Sequence, residues 1–318
     1  MKLRDGARAL LRRRESGIFL ALLGLVVLIT LFQPGFASRS NLYLVSRQIA
    51  YVAIVALGVF FVILTSGIDL SVGSVVGLSG VLAGLTLAQG IPPILGVGVG
   101  LLTGGLVGAI NGILVAYVGV TPFIVTLGML SMARGVVLVL THGDSIRSIP
   151  ESFIRAGLMD IGGVPMPVFI LAGVALASHL TLSSTAFGRR VYALGGNENA
   201  TELSGVNTRR VKFATYVLSG ILSAVTGILF VARFRSAQAN AGFGMELDAI
   251  AAAVIGGTSL MGGQGTVAGV LIGATIMGVV RNGLVLMEVS SYWQELIIGS
   301  IIVLAAVVDI LRTRARRR

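Results

Sequence analysis

The chain has 318 residues, of which 55% are hydrophobic and only 12% are charged, and its mean hydropathy is +0.95. A soluble domain carries roughly 25% charged residues, so this composition excludes an ordinary soluble globular protein. The absence of cysteine excludes a disulfide framework or a thiolate metal site, and the two histidines, far apart in sequence, argue against a histidine-based metal centre.

Long apolar runs predict an all-α integral membrane protein. A helix needs about 20 apolar residues to cross a hydrocarbon core of about 30 Å, and several runs approach that length. A membrane-spanning barrel would show short alternating segments instead. We predict about ten spanning or near-spanning segments, at residues 16–33, 45–66, 71–89, 94–118, 122–140, 167–182, 213–232, 247–262, 266–286 and 294–311.

The net charge of +11 comes from clustered basic residues. Sixteen of the 24 Lys and Arg residues lie at the start, at the end, and between the sixth and seventh segments. Positively charged segments stay on the cytoplasmic side of a membrane, and an even number of segments places both termini on that side. We therefore predict one transmembrane domain over residues 1–318, with cytoplasmic parts at 1–15, 183–212 and 312–318. The clustering favours membrane lipid, and not nucleic acid, as the surrounding partner.

The fourth segment carries a glycine at every fourth position. On a helix this spacing makes one smooth groove along a face, and small residues let membrane helices approach each other closely. We predict that another helix packs into this groove. The glycines are Gly96, Gly100, Gly104, Gly108 and Gly112.

A second pattern relates the two halves of the chain. Residues 108–114 align with residues 279–285 at an offset of 171, and the same offset pairs Gly128 with Gly299. In the predicted topology, the fourth and ninth segments cross the membrane in opposite directions. We therefore predict an inverted repeat of helices 2–5 and 7–10, an arrangement that places a translocation path at the repeat interface. A chance alignment of glycine-rich helices is the alternative.

An acidic residue stands at the boundary between the second and third segments, in the run Gly67 to Ser74. Placing a carboxylate at the centre of a bilayer costs about 2.5–3.5 kcal/mol, so we predict that Asp69 lies at a helix end. There Asp69 or Ser71 caps the free backbone amides at the start of the third segment. A direct role in transport is the alternative.

The basic loop between the sixth and seventh segments contains a short predicted helix. Asn197 is suited to begin this helix and Gly205 to follow its last turn. Because a two-turn helix is unstable alone in water, we predict that it docks against a partner protein; an ordinary solvated linker is the alternative. The predicted docking residues are Leu194, Asn197, Glu198, Ala200, Leu203, Ser204 and Gly205.

Four stretches of the chain resemble the permease subunits of binding-protein-dependent ABC importers, in the ribose and simple-sugar branch. They are residues 67–73, 121–128, 193–206 and 253–266. Each stretch is moderately specific, and the four in this order are specific for the family, although not for one sugar. The resemblance extends from about residue 45 nearly to the end of the chain.

The resemblance implies a bacterial inner-membrane permease that works with several partners. A second permease copy or a paralogue would complete the transmembrane core, and two cytoplasmic ATPase subunits would dock at a coupling helix within residues 194–206. A periplasmic sugar-binding protein would land on the outer loops at 141–166 and 233–246. The chain itself would bind no cofactor and would not be an enzyme, because ATP and magnesium would belong to the ATPase.

The sequence gives independent reasons to place ATP hydrolysis elsewhere. Residues 262–266 faintly resemble a phosphate-binding loop, but they lack the lysine that such a loop requires. A secondary transporter driven by an ion gradient is one alternative function, although its acidic residues usually lie inside the bundle, whereas Asp69, Glu246 and Asp248 fall near predicted segment ends. A permease for branched-chain amino acids or nucleosides, or a passive channel, are the others.

A sugar path needs polar but uncharged side chains, because the hydroxyl groups of the sugar must be hydrogen-bonded again when they leave water. We predict that Asn111, Thr126, Ser131 and Asn282 face this path. Asn111 and Asn282 are favoured because they occupy matching positions in the predicted repeat. The alternative for each asparagine is a hydrogen bond to a neighbouring helix.

Overall fold

The structure, a computed structural model, describes residues 14–317, in which helices joined by loops and turns are accompanied by one small hairpin. The predicted tail at 1–15 therefore lies outside the described residues except for its last two, whereas the final helix continues through most of the predicted tail at 312–318. The helices are α1 (Arg14–Phe32), α2 (Arg39–Leu64), α3 (Val72–Ala88), α4 (Pro93–Ile113), α5 (Pro122–Thr141), α6 (Glu151–Gly157), α7 (Met166–Ser184), α8 (Ala186–Gly196), α9 (Glu198–Leu203), α10 (Thr208–Phe234), α11 (Met245–Ile255), α12 (Val267–Leu286) and α13 (Ser291–Arg317).

Smaller elements connect some of these helices. A 3-10 turn at Pro34–Ala37 joins α1 to α2, and α4 continues as a π-helical turn over Leu114–Val118. The antiparallel hairpin pairs β1 (Asp160–Ile161) with β2 (Val164–Pro165). The hairpin and α6 together fill the outer loop predicted between the fifth and sixth segments.

Within residues 14–317, six helices are long and apolar enough to cross a membrane: α2, α4 with its π turn, α5, α7, α10 and α12. Shorter apolar stretches lie in α1, α3 and α13. The all-α membrane fold class is therefore confirmed. The predicted segment 247–262 is wrong as one helix, because α11 ends at Ile255 and the chain continues through glycines with positive φ at Gly257, Gly262 and Gly263.

Helix α2 lies at the centre of the bundle. Most of its side chains from Ala50 to Leu64 are buried, and they form the main apolar core with residues of α10, α11 and α12. Ser38 begins the helix by accepting a hydrogen bond from the backbone N–H of Asn41. A helix segment that is apolar on all sides can be surrounded by other apolar helices without burying polar groups, which is consistent with its central position.

The glycine ladder of α4 faces α10 along most of its length. A Cβ atom on Gly104 would collide with the carbonyl oxygen of Gly220, and one on Gly220 would collide with the carbonyl oxygen of Gly104. Gly108 likewise lies against the backbone of Tyr216, and Gly112 lies against Phe213. The two backbones thus approach as closely as small residues permit.

The N-terminal end of the ladder also contacts α3. A Cβ atom on Gly96 would lie 2.8 Å from the side chain of Leu87 in α3, and one on Gly100 would lie 2.9 Å from Ile228 in α10. The groove therefore holds α10 together with the end of α3. Packing into the groove fixes where α3 lies.

Two irregular stretches interrupt the bundle, one between α2 and α3 and one between α10 and α11. Each begins with a left-handed residue, Ser66 with φ of 59° and Arg235 with φ of 53°. The stretch after α10 then runs antiparallel to α3, since Gly84 faces Ala237 and Gly73 faces the Gly242 carbonyl. As a result, α3 and α11 begin beside each other inside the bundle.

Candidate translocation and partner-docking sites

The first irregular stretch holds a buried carboxylate. Asp69 is 1% exposed, and its Oδ1 accepts hydrogen bonds from the backbone N–H of Ser71 at 3.0 Å and from Ser71 Oγ at 2.6 Å. Its Oδ2 accepts a hydrogen bond from Ser219 Oγ of α10 at 2.8 Å. No ion pair among residues 14–317 involves Asp69. The carboxylate thus satisfies a backbone amide before α3 and also ties this stretch to the second half of the chain.

Asn111 of α4 extends the same network. Its Nδ2 donates to Ser71 Oγ at 2.9 Å, so α4 is connected to Asp69 through one hydroxyl group. Asn111 is fully buried, and its Oδ1 has no hydrogen-bond partner among the described residues. The structure therefore brings together a predicted path residue and both residues of the predicted helix-end motif.

Asn282 of α12 makes a different contact. Its side-chain amide forms a reciprocal pair with the amide of Asn41 in α2, with both N···O distances at 2.9 Å. The amide of Asn41 also donates to the carbonyl oxygen of Phe36 at 2.9 Å. The hydrogen bond to a neighbouring helix, which was the alternative for Asn282, is thus what the structure contains.

The two predicted path residues of α5 do not join the Asp69 network. Thr126 is fully buried, and its hydroxyl donates to the Pro122 carbonyl one turn earlier at 2.8 Å. Ser131 lies on the exposed face of α5 and donates to the Leu127 carbonyl at 3.4 Å. Of the two, only Ser131 presents its surface to a substrate or a partner.

The second irregular stretch carries a polar cavity. Arg134 of α5 donates from Nη1 to the carbonyl oxygens of Ala239 and Ala241, both at 3.1 Å, and its guanidinium carbon lies 5.8 Å from the centroid of the Phe243 ring. Phe243 is 83% exposed. A cavity of about 370 Å³ lies beside them, lined by Arg134, Leu138, Gly143, Ser145, Ala239, Asn240 and Phe243.

An ion pair stabilises the other side of α11. Asp248 accepts hydrogen bonds from Arg281 Nη2 of α12 at 2.9 and 3.0 Å, and Glu295 lies 3.9 Å from the same guanidinium group. Arg281 directly precedes Asn282. One turn of α12 therefore binds both α11 and α2.

The predicted docking helix is α9. Asn197 begins it by accepting a hydrogen bond from the backbone N–H of Ala200 at 2.9 Å, and Gly205 follows it with φ of 80°. Glu198 forms an ion pair with Lys212 Nζ at 2.7 Å, which fastens the start of α9 to α10. Leu203 is 90% exposed at the other end. An apolar side chain so exposed is suited to contact a partner.

The other predicted docking residues divide between surface and core. Ala200, Ser204 and Gly205 are exposed. Leu194 is 2% exposed and packs in the main core, so its prediction as a docking contact is wrong. The reason is that Leu194 belongs to α8, whose inner face lies against the bundle, and not to α9.

Helix α8 contacts both the end of α2 and the loop between α11 and α12. The Tyr192 hydroxyl donates to the Gly265 carbonyl at 2.9 Å, and burial raises the pKa of this phenol, which keeps it protonated as a donor. Gly195 lies so close to the Leu64 carbonyl and the Gly263 nitrogen that a Cβ atom would collide with both. Sequence reasoning missed these roles, although both residues lie in or beside the stretch 193–206 that resembles the permease family.

Hydrogen bonds also connect directly the two regions that α8 contacts. Gly263 donates its backbone N–H to the Leu64 carbonyl at 3.0 Å, and Ser66 Oγ donates to the Met261 carbonyl at 2.8 Å. These contacts join the end of α2 to the loop between α11 and α12. We refer to the contacts among Leu64, Ser66, Gly195, Met261 and Gly263 as the α8 junction.

A bundle of long apolar helices, interrupted by irregular stretches that carry buried polar groups, defines a polytopic membrane transport protein. Residues 41–306 match the family described as the permease component of branched-chain amino acid transport systems, and the chain belongs to this family. The resemblance to ABC import permeases that the sequence motifs indicated is thereby confirmed.

Curated relatives extend along almost the whole chain. The sequence is 44% identical to the ribose import permease protein RbsC of Escherichia coli (strain K12) over 93% of each chain. It is 36% identical to the D-allose transport system permease protein AlsC of the same strain, over 93% of this chain and 91% of the relative. It is 34% identical to the L-arabinose ABC transporter permease protein AraH of Azospirillum brasilense, over 99% and 92%. No solved structure matches the chain.

Proposed function

We propose that this chain is the transmembrane permease subunit of an ATP-driven importer that carries a simple sugar, which is a pentose, a hexose or a related polyol. The observation that carries this proposal is the full-length similarity to permeases whose names specify ribose, allose and arabinose. A fourth relative, 36% identical, is named as a xylose permease. The shared chemistry of these substrates is a small, uncharged, polyhydroxylated ring.

The structure contains features that fit an uncharged polar substrate better than the alternatives. The description of the family names branched-chain amino acids, but the relatives at 34–44% identity carry sugar names. An ion-gradient-driven transporter often places acidic groups inside the bundle to bind the coupling ion. Two of the three acidic residues weighed for that role are already engaged, because Asp69 is bonded by two serines and Asp248 is paired with Arg281. The third, Glu246, has no hydrogen-bond partner for its Oε2 among the described residues.

We further propose that the membrane domain has ten helices, α1–α5, α7 and α10–α13, with an inverted repeat of α2–α5 and α10–α13. The first helix of each half packs against the second and third helices of the other half: α10 contacts α3 and α4, and α2 contacts α11 and α12. The helix starts also recur close to the offset of 171 found in the sequence. Such an exchange of partners is what two related halves would produce.

The proposed sugar path passes the meeting point of α3 and α11. The cavity beside Arg134 offers the chemistry that a sugar needs: the exposed ring of Phe243 for the apolar face, and the amide of Asn240 for the hydroxyl groups. Ser131 lies three residues from Arg134 on α5, which places it one turn away along the same side. The path is lined, in this proposal, by side chains that bind neutral polar groups.

The remaining assignments concern orientation and partners. Both termini and the α8–α9 segment face the cytoplasm, two ATPase subunits that hold ATP and magnesium dock at α9, and a periplasmic binding protein docks on the outer loops. A second copy or a paralogue completes the path. The two outer loops, at 141–166 and 233–246, contact each other, because the backbones of Ile146 and Ala237 exchange two hydrogen bonds of 2.9 Å. Motion of α9 on the ATPase would reach the end of α2 and the loop between α11 and α12 through the α8 junction.

A competition experiment tests the proposed substrate class. Vesicles that contain the chain, the ATPase and the binding protein encoded beside it would be given one labelled compound at a time, from a panel of pentoses, hexoses, leucine and a nucleoside, together with unlabelled members of the same panel as competitors. We expect uptake of a labelled sugar and competition by sugars alone. Uptake of labelled leucine or nucleoside without sugar uptake would refute the sugar assignment.

A further inference from the structure

One side of the bundle carries an apolar groove between α2, α7 and α10. Its volume is about 500 Å³, and its walls include Phe61 of α2, Ala177 of α7 and Ala214 of α10. Phe187, in the first turn of α8, and Phe213, near the start of α10, also line it. Its other lining residues are apolar except Ser178 and Thr181, and a mainly apolar groove on the outside of a membrane bundle is suited to a hydrocarbon chain.

Exposed arginines lie at the α8 end of this groove. Arg210 precedes Phe213 and Ala214 by three and four residues, so it lies one turn away on the same face of α10. Arg190 follows Phe187 by three residues on α8 and is likewise exposed. No ion pair among the side chains that the structure describes engages either guanidinium group, whereas the nearby Lys212 is held by Glu198.

We propose that the groove is a binding site for one anionic phospholipid, with an acyl chain along α7 and α10 and the phosphate bound by Arg190 and Arg210. Guanidinium groups bind phosphate oxygens through paired, charge-assisted hydrogen bonds. Basic residues at the cytoplasmic ends of membrane helices attract anionic headgroups. The choice of the cytoplasmic leaflet rests on the proposed orientation of the chain; the site itself does not.

The bound lipid would act on the segment that the ATPase moves. Helix α8 carries Phe187 in the groove wall and Arg190 one turn later, and its Gly195, about two turns after Phe187, lies at the α8 junction. A lipid that holds the start of α8 against α7 and α10 would therefore fix the position of the junction. A neutral lipid would fill the groove without this electrostatic anchor.

Native mass spectrometry of the purified full-length chain tests the site. The delipidated protein would be mixed with phosphatidylglycerol or phosphatidylethanolamine, and the retained lipid would be counted. We expect the native chain to retain one phosphatidylglycerol in preference to phosphatidylethanolamine. The variant R190Q/R210Q should lose this preference, by about fivefold for each arginine removed. The groove-filling variant A177W/A214W should retain neither lipid.

The matched control is R147Q/R155Q, which removes the same charge from exposed positions in the loop at 141–166, away from the groove. It should bind phosphatidylglycerol like the native chain. Equal retention by R190Q/R210Q and the native chain would overturn the proposal, as would full retention by A177W/A214W. Because neither ATPase nor sugar is present, failure here is distinct from failure of the transport proposal. Each variant would first be shown to elute as the native protein does.

Discussion

The backbone N–H of Gly263 donates to the carbonyl oxygen of Leu64 at 3.0 Å, which joins the loop after α11 to the end of α2. Leu64 lies in the first half of the chain and Gly263 in the second, and Gly195 of α8 lies against both. One point of contact with α8 is thus shared by the two halves. In the proposed mechanism, this contact transmits motion from the ATPase-docking helix α9 to both halves of the bundle.

A side chain at Gly195 should therefore damage coupling. In Gly195→Ala the new Cβ atom would collide with the Leu64 carbonyl and the Gly263 nitrogen, so backbone would have to move. Overpacking of this kind costs about 1–3 kcal/mol, and we expect ATP-driven uptake to fall roughly tenfold. The adjacent Gly196 is the control, because a Cβ atom there has no neighbour within 4 Å. Equal uptake by Gly195→Ala and Gly196→Ala would refute the role of the junction.

Loss of the Ser219 hydroxyl should destabilise the bundle more than loss of a neighbouring serine. Ser219 donates to the buried carboxylate of Asp69 at 2.8 Å, and a hydrogen bond to a charged group contributes about 1.5–3 kcal/mol. Ser223 is equally buried on α10 but donates only to the Ser219 carbonyl of its own helix. Ser219→Ala should lower the unfolding temperature in detergent by several degrees more than Ser223→Ala. Identical unfolding temperatures would show that the Asp69 network contributes little.

Replacement of Leu203 should separate docking from folding. The side chain is 90% exposed, so Leu203→Asp should change the stability of the isolated chain by no more than about 0.5 kcal/mol. We expect the ATPase no longer to co-purify with this variant, and uptake to be lost with it. Leu203→Met keeps an apolar side chain of similar volume and should retain both. Full ATPase binding by Leu203→Asp would place the docking surface elsewhere.

Phe243 should affect apparent substrate affinity. If its ring stacks on the sugar, Phe243→Ala should raise the KM for uptake about two- to tenfold, as expected for loss of an aromatic contact of about 0.5–1.5 kcal/mol. Phe243→Trp keeps a ring and should preserve the KM. The control is Phe32→Ala, because Phe32 is also exposed but lies on α1, outside the cavity. An unchanged KM in Phe243→Ala would exclude stacking at this cavity.

Local patterns in the sequence predicted most helices, because apolar runs and glycine spacing depend on neighbouring residues. The capping of α9 by Asn197 is a local feature of the same kind. The partner of Asn282 is Asn41, 241 residues earlier, and no local pattern identifies such a contact. The burial of Leu194 likewise depends on how α8 lies against the bundle.

The early end of α11 could likewise not be predicted from the sequence. Its apolar sequence continues past Ile255, but Gly256 packs against the Gly269 carbonyl and Gly257 adopts a positive φ, so the helix ends there. The cavity at Arg134 was hidden for a similar reason. Its lining comes from α5 and from a stretch about 100 residues later, which meet only because the chain returns into the bundle after α10.

The most direct test of the central claim is the energy source for uptake. Vesicles containing the chain, its ATPase and its binding protein would receive labelled ribose, with either ATP on the ATPase side or an imposed proton or sodium gradient. The account predicts uptake that requires ATP, the ATPase and the binding protein together, and no uptake driven by a gradient. Uptake by the chain alone under an ion gradient would contradict it and would identify a secondary transporter.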